Sequence, residues 1–266
     1  MPACLCRSTR LAMVLSLVGA VCAAPARAQS TRAVEGLFSA NASILWPAAT
    51  SVTLSTVADD PPDRAEAKTQ FDLGSRPGFD IGGGILVRRR LFLRAAVSRF
   101  TDAPMGTLTL TVDHPAFHPT LTATGVVGEL KRSERRLDLQ FGYAMPLSRR
   151  VTVIVFGGPS RFDLSQDLVA DFRVSEEFNR STGSYRLTSP SHFETEKAKA
   201  SGWGYNVGAD TSVMLTKVFG VGALVRYSRA TLDVRDPLAS DLEDRDVTKP
   251  IDAGGLQVSG GIRLHF

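Results

Sequence analysis

The side chains whose types and spacing invite chemistry fall into two groups in this 266-residue chain. The first is nucleophilic or metal-binding. His114 and His118 stand four apart in Asp113-His114-Pro115-Ala116-Phe117-His118. On a helix that spacing presents both imidazoles to one metal, but Pro115 and Pro119 oppose a helix there. Ser191 and His192 are the nearest approach to a nucleophile and its base, yet a working set needs a third group to orient the histidine. Gly82-Gly83-Gly84 lacks the Lys-Ser/Thr pair and the helix of a phosphate loop. The expectation is no catalytic, cofactor or metal site. The second group is electrostatic: Glu35, Asp80, Arg94, Asp138, Gln140, Asp210, Arg226 and Arg263. These groups recur at positions of even spacing within their segments, so each segment puts them on one strand face. If that face is enclosed, the charges must pair, because burying each ion costs several kcal/mol. Asp80 with Arg94, and Asp210 with Arg226, are the expected pairs.

The elements that carry these residues alternate with period two, which predicts strands rather than helices. Val34 to Trp46 places Phe38, Ala40, Ala42 and Ile44 on one face and Glu35, Ser39, Asn41 and Ser43 on the other, with Leu37 and Leu45 as exceptions. Similar alternation runs from 79 to 88, 91 to 98, 136 to 145, 203 to 213, 219 to 228 and 256 to 266. Val151 to Phe156 is apolar on both faces, which leaves its orientation open. Short connections are predicted at 88–90, 146–150 and 216–218. Long polar ones are predicted at about 55–76, 113–130, 173–200 and 236–252. The pattern is four hairpins, hence eight antiparallel strands, with short turns and both termini at one end.

No apolar run is long enough for a membrane helix; the longest, Leu11 to Ala24, lies in the first 28 residues. Arg7 and Arg10, that apolar run, and Ala26-Arg27-Ala28 read as a secretory signal peptide, 1–28, leaving 29–266 as one barrel domain. Arg7, Arg10 and Arg27 account for three of the 31 basic residues, so the remainder is 28 against 27 acidic ones. The pI of about 9.1 is therefore poor support for nucleic-acid binding. Cys4, Cys6 and Cys22 all precede the predicted cleavage point, so the exported chain has no disulfide.

Alternation alone does not say which face is inside. The polar face is rich in glycine (82, 84, 142, 204, 208, 220, 222, 261) and in charges of both signs. A narrow eight-stranded lumen needs such small residues to make room for a few large ones. A water-facing surface would carry long Lys and Glu instead. Trp46, Tyr143, Trp203, Tyr205 and Tyr227 fall on the apolar parity, several near strand ends, where the interfacial girdle of a membrane barrel belongs. The expected fold class is all-β: an eight-stranded antiparallel up-and-down transmembrane β-barrel with short periplasmic turns and long extracellular loops.

With the signal peptide, the eight alternating segments and the closing Gly260-Gly261-Ile262-Arg263-Leu264-His265-Phe266, the chain resembles the OmpA/OmpX-type small outer-membrane barrels of Gram-negative bacteria. That resemblance implies a location in the cell outer membrane. It also implies that Val258, Ile262, Leu264 and Phe266 form the terminal-strand signal read by the barrel-assembly machinery, with Gly260 interrupting the pattern. The implied partners are the outer-membrane lipid bilayer, that machinery, and an extracellular ligand at the loops, with no nucleic acid and no cofactor. Loop 173–200, carrying Glu176, Glu177, Arg180, Tyr185, Arg186, Glu194, Glu196 and Lys197, is the expected contact surface. The functional expectation is a non-enzymatic structural anchor or interaction barrel with a plugged polar lumen. The alternatives are a small porin or solute channel, and a lipid-modifying enzyme.

Overall fold

Period-two sequence becomes strand wherever both faces find a partner, and here it does so over most of the chain. The computed structural model describes residues 34–60, 63–88, 90–113, 120–181, 183–239 and 247–266. The predicted signal peptide, the cysteines, His114 and His118 lie outside the described residues. Within the described residues, fourteen strands follow in order: β1 Val34–Pro47, β2 Ser51–Asp60, β3 Asp63–Asp72, β4 Arg76–Val87, β5 Leu91–Asp102, β6 Met105–Asp113, β7 Thr120–Glu129, β8 Arg132–Pro146, β9 Val151–Arg173, β10 Glu176–Asn179, β11 Ser184–Leu187, β12 Ser191–Met214, β13 Phe219–Arg235 and β14 Thr248–His265.

Eight of them form a closed antiparallel barrel in the order β1, β14, β13, β12, β9, β8, β5, β4, and β4 pairs back onto β1. Closure removes the unpaired edges that an open sheet would expose. The register is staggered around the ring: the hydrogen-bonded path that leaves β1 at Trp46 returns to it at Gly36. That shear is what tilted strands require in a barrel. The four expected hairpins are β1/β4, β5/β8, β9/β12 and β13/β14, with short turns after Val87, Pro146 and Met214.

The long connections differ from expectation. Most of 55–76 and 113–130 is strand, β12 already begins at Ser191, and β14 begins at Thr248. β2, β3, β6 and β7 form a four-stranded sheet, and β10 with β11 a hairpin. The alternation was present but diluted. Inward positions such as Thr56, Ala67, Thr69, Gly106 and Ala123 are small or hydroxylated, which lowers the apolar contrast between the faces.

These inward faces enclose a core of Val52, Leu54, Phe71, Leu108, Leu110 and Val127 with Phe162, Leu164 and Leu168 of β9, Leu232 and Val234 of β13 and Ile251 of β14. The barrel strands therefore run past the charged interior and change inner lining from polar to apolar. Leu108 is fully buried. Leu108→Ala should destabilise this outer sheet by about 2–3 kcal/mol while the barrel stays folded. Limited proteolysis should then cut within 105–129 before any barrel turn.

Candidate functional site

The barrel wall sorts its side chains by parity. From Phe266, Phe219 and Leu91 at the turn end, the outward positions carry no charged residue as far as Phe79 on β4, Val97 on β5, Leu137 on β8, Pro159 on β9, Trp203 on β12 and Tyr227 on β13. Trp46, Tyr143, Trp203 and Tyr205 are exposed and Tyr227 is half-buried, its ring 6.4 Å from that of Tyr205. Tyr143 belongs to the turn-end half of the belt and the other four to the long-connection end. Val258, Ile262 and Phe266 are exposed and Leu264 is half-buried, all on this outer parity.

Inward positions hold a ladder of ions. Starting near the turn end, Arg263 Nη2 lies 2.8 Å from Asp210 and Arg263 also donates to Asn41. Asp210 faces Arg94 at 3.8 Å, and Arg94 lies 2.7 Å from Asp80. Asp80 also accepts from Asn41 at 3.0 Å and Ser98 at 2.9 Å, and Arg226 lies 2.8 Å from it. Arg226 bridges onward to Asp138 at 2.6 Å, which Arg136 meets at 3.0 Å and to which Ser160 donates at 2.6 Å. Gln257 ties the wall together by accepting from Arg226 and Arg136 and donating to Ser43 and Ser259. Arg136 also donates to Ser228 and lies against the Phe100 and Phe162 rings at 5.9 and 5.8 Å. Each charge gains an opposite partner within 4 Å, which lowers the cost of burying it.

Sequence pairing was right for Asp80 with Arg94 and needs correction for Asp210 with Arg226. Asp210 is opposite Leu224, whereas Arg226 is opposite Gly208, one inward step farther along β13. Asp210 instead pairs with Arg263 and Arg94, and Arg226 with Asp80 and Asp138. Gln140 is buried and lies 3.5 Å from Arg94. Glu35 is half-buried near the turn end of β1. Gly82 makes room for the ladder, since a Cβ there would meet Arg94 Nε at 2.4 Å.

Among the described residues, five buried charges were missed: Arg76, Arg132, Glu134, Arg136 and Asp236. The signal was available on β8, where Arg132, Glu134, Arg136, Asp138 and Gln140 occupy successive inward positions. Beginning the strand at 136 cut the series short. Arg76 and Arg132 flank Glu134 at 3.5 and 3.9 Å. Arg76 Nε and Nη2 and Arg132 Nε have no hydrogen-bond partner, and the two guanidiniums share one carboxylate.

At the turn end the ladder stops at a small, partly open cleft lined by Leu37, Phe92, Arg94, Asp210, Arg263 and His265 among others. Beside it, Leu86, Phe92, Ala144, Ile154, Phe156 and Leu224 form an apolar plug. This resolves the strand that was apolar on both faces: Ile154 and Phe156 point inward and Val155 outward. In the connections, Glu177 pairs with Arg186 at 2.6 Å across the β10/β11 hairpin, while Glu194, Glu196 and Lys197 lie on β12. Ser191 Oγ and His192 Nδ1 are 3.2 Å apart and exposed. Among the described residues, no cluster of three metal-ligating side chains exists.

An apolar exterior around a charged, filled interior defines the class: an inside-out, eight-stranded antiparallel β-barrel. Among solved structures the chain is similar to Ail, the attachment invasion locus protein of Yersinia pestis, at 8% identity and a TM-score of 0.37, covering 88% of this chain and 99% of that one. It is also similar to the outer membrane protein AlkL, at 15% identity and a TM-score of 0.40, covering 91% of this chain and 95% of that one. No protein-family model matches the chain. No curated protein matches it by sequence.

Proposed function

We propose that this protein is an outer-membrane β-barrel whose lumen is plugged and which works as an anchor for the folded β-structure at its long-connection end. The observation that carries the reading is the continuous filling of the barrel from Arg263 through Asp210, Arg94, Asp80, Arg226 and Asp138 to Arg136. The uncharged outer belt suits lipid, and closed strands satisfy their own backbone groups there. The short turns, the start of β1 and the end of β14 then face the periplasm, and β2, β3, β6, β7 and the β10/β11 hairpin face outward as the surface that meets other molecules. The exposed Ser191–His192 pair, 3.2 Å apart, is not by itself a catalytic set, which needs a third group to orient the imidazole.

Fractionation should place the chain in the outer membrane, with heat-modifiable migration on gels. In planar bilayers the unmodified protein should give at most a small, intermittent conductance, because eight strands leave little open lumen. A soluble periplasmic protein would overturn the membrane reading. A large, steady conductance would overturn the plug and favour a small solute channel.

A further inference from the structure

At the long-connection edge of the uncharged belt, the first charged outward residue on four barrel strands is arginine: Arg99 on β5, Arg135 on β8, Arg161 on β9 and Arg229 on β13. Register sets three of them opposite outward aromatic residues and Arg135 opposite Arg99. Arg99 is opposite Phe79, Arg161 opposite Trp203, and Arg229 opposite Tyr205. Two of the four are already engaged elsewhere: Arg229 pairs with Asp252 at 2.9 Å, and Arg161 lies over the Trp203 ring at 5.7 Å and donates to Ser201 at 2.9 Å.

Arg99 and Arg135 are different. They stand directly opposite each other across β5 and β8, both exposed, and neither has a hydrogen-bond or ion-pair partner among the described residues. Like charges in direct cross-strand register repel, and sheets normally avoid them. Asp163, opposite Arg135 on β9, is the one carboxylate in this row of the register, and it makes no ion pair with Arg135. Just below the guanidiniums, Val97 and Leu137 continue the apolar belt. The patch thus offers two free guanidinium forks, a third arginine alongside, and an apolar wall beneath.

We propose that the outer face of β5, β8 and β9 at this edge binds the phosphate of an anionic lipid, with the acyl chains lying on Val97 and Leu137. Guanidinium forks match phosphate oxygens in a bidentate manner, and an anion between Arg99 and Arg135 turns their repulsion into attraction. The choice of lipid over free phosphate follows from the apolar wall, which a soluble ion does not use. The proposal rests on the membrane reading above.

Trp46→Phe leaves Trp203, beside the patch, as the single tryptophan of the chain. This protein is placed in vesicles containing either phosphatidic acid or phosphatidylcholine with brominated chains, and quenching of Trp203 reports which lipid sits next to it. The phosphatidic acid should be preferred by about tenfold. Arg99→Gln with Arg135→Gln should bring the preference close to one, while heat-modifiable migration shows that the barrel is intact. Arg229→Gln should keep the preference. Equal quenching by both lipids in the parent, or a preference that survives in the double variant, would overturn the site and leave the membrane reading standing. Loss of the preference in millimolar inorganic phosphate would overturn the lipid assignment in favour of a soluble anion. No quenching by either lipid would overturn the membrane reading and this proposal together.

Discussion

Asp80→Ala should be among the most damaging single substitutions inside the barrel, lowering its stability by about 3–5 kcal/mol. Asp80 is fully buried and accepts from Arg94, Arg226, Ser98 and Asn41. Its removal leaves Arg94, Arg136, Arg226 and Arg263 facing Asp138 and Asp210 alone, so positive charge stays buried without compensation. Arg226→Met should cost less. With Arg226 gone, Arg94 still faces Asp80, Arg136 still faces Asp138, and Arg263 still faces Asp210. The double variant should therefore be more stable than the sum of the two single losses, because residues in one ionic network couple. Urea unfolding in detergent, followed by heat-modifiable migration, measures all three. A change of under 1 kcal/mol for Asp80→Ala would mean that water enters and solvates the ladder. Bilayer conductance should then rise in the same variant.

Phe266→Asp should remove most of the assembled barrel from the outer membrane while leaving export intact. Phe266 closes the seam between β14 and β1: Gly36 N–H donates to its carbonyl at 2.7 Å, and its own N–H donates to the Gly36 carbonyl at 3.0 Å. Its ring covers Gly36 so closely that a Cβ there would lie 2.5 Å from it. The aspartate puts a carboxylate at the turn-end edge of the apolar belt and strips the ring that covers Gly36 at the β1–β14 seam. Two measurements separate the causes. If Phe266 acts as a recognition signal, purified Phe266→Asp should still fold in detergent micelles, whereas Gly36→Leu should be impaired there because it wedges the seam itself. Normal insertion of Phe266→Asp in cells would defeat the assembly-signal reading.

The barrel was legible because its two faces meet different surroundings. Leu137, Leu139, Phe141 and Tyr143 against Asp138, Gln140 and Gly142 is a contrast that period-two counting detects directly. The outer β2–β3–β6–β7 sheet was not, because its inner face mixes Thr56, Thr69 and Ala123 with Leu108 and Phe71, and its outer face is also rich in threonine. There, the identity of the element depends on which segments come together to enclose a core.

By itself the sequence determined the number of barrel strands, their turns and which residues share a face, because all three follow from local alternation and from the placement of turn residues. Beyond Asp80 with Arg94, only the tertiary structure decided who pairs with whom. A closed, sheared barrel brings Asp80 of β4 against Arg226 of β13 and Asp210 of β12 against Arg263 of β14. Asp80 and Arg226 lie on strands that share no hydrogen-bonded edge, so their contact across the lumen exists only once the ring has closed. Side chains long enough to cross a narrow lumen choose partners by height along the tilted strands, and that height is set by the register of all eight strands together.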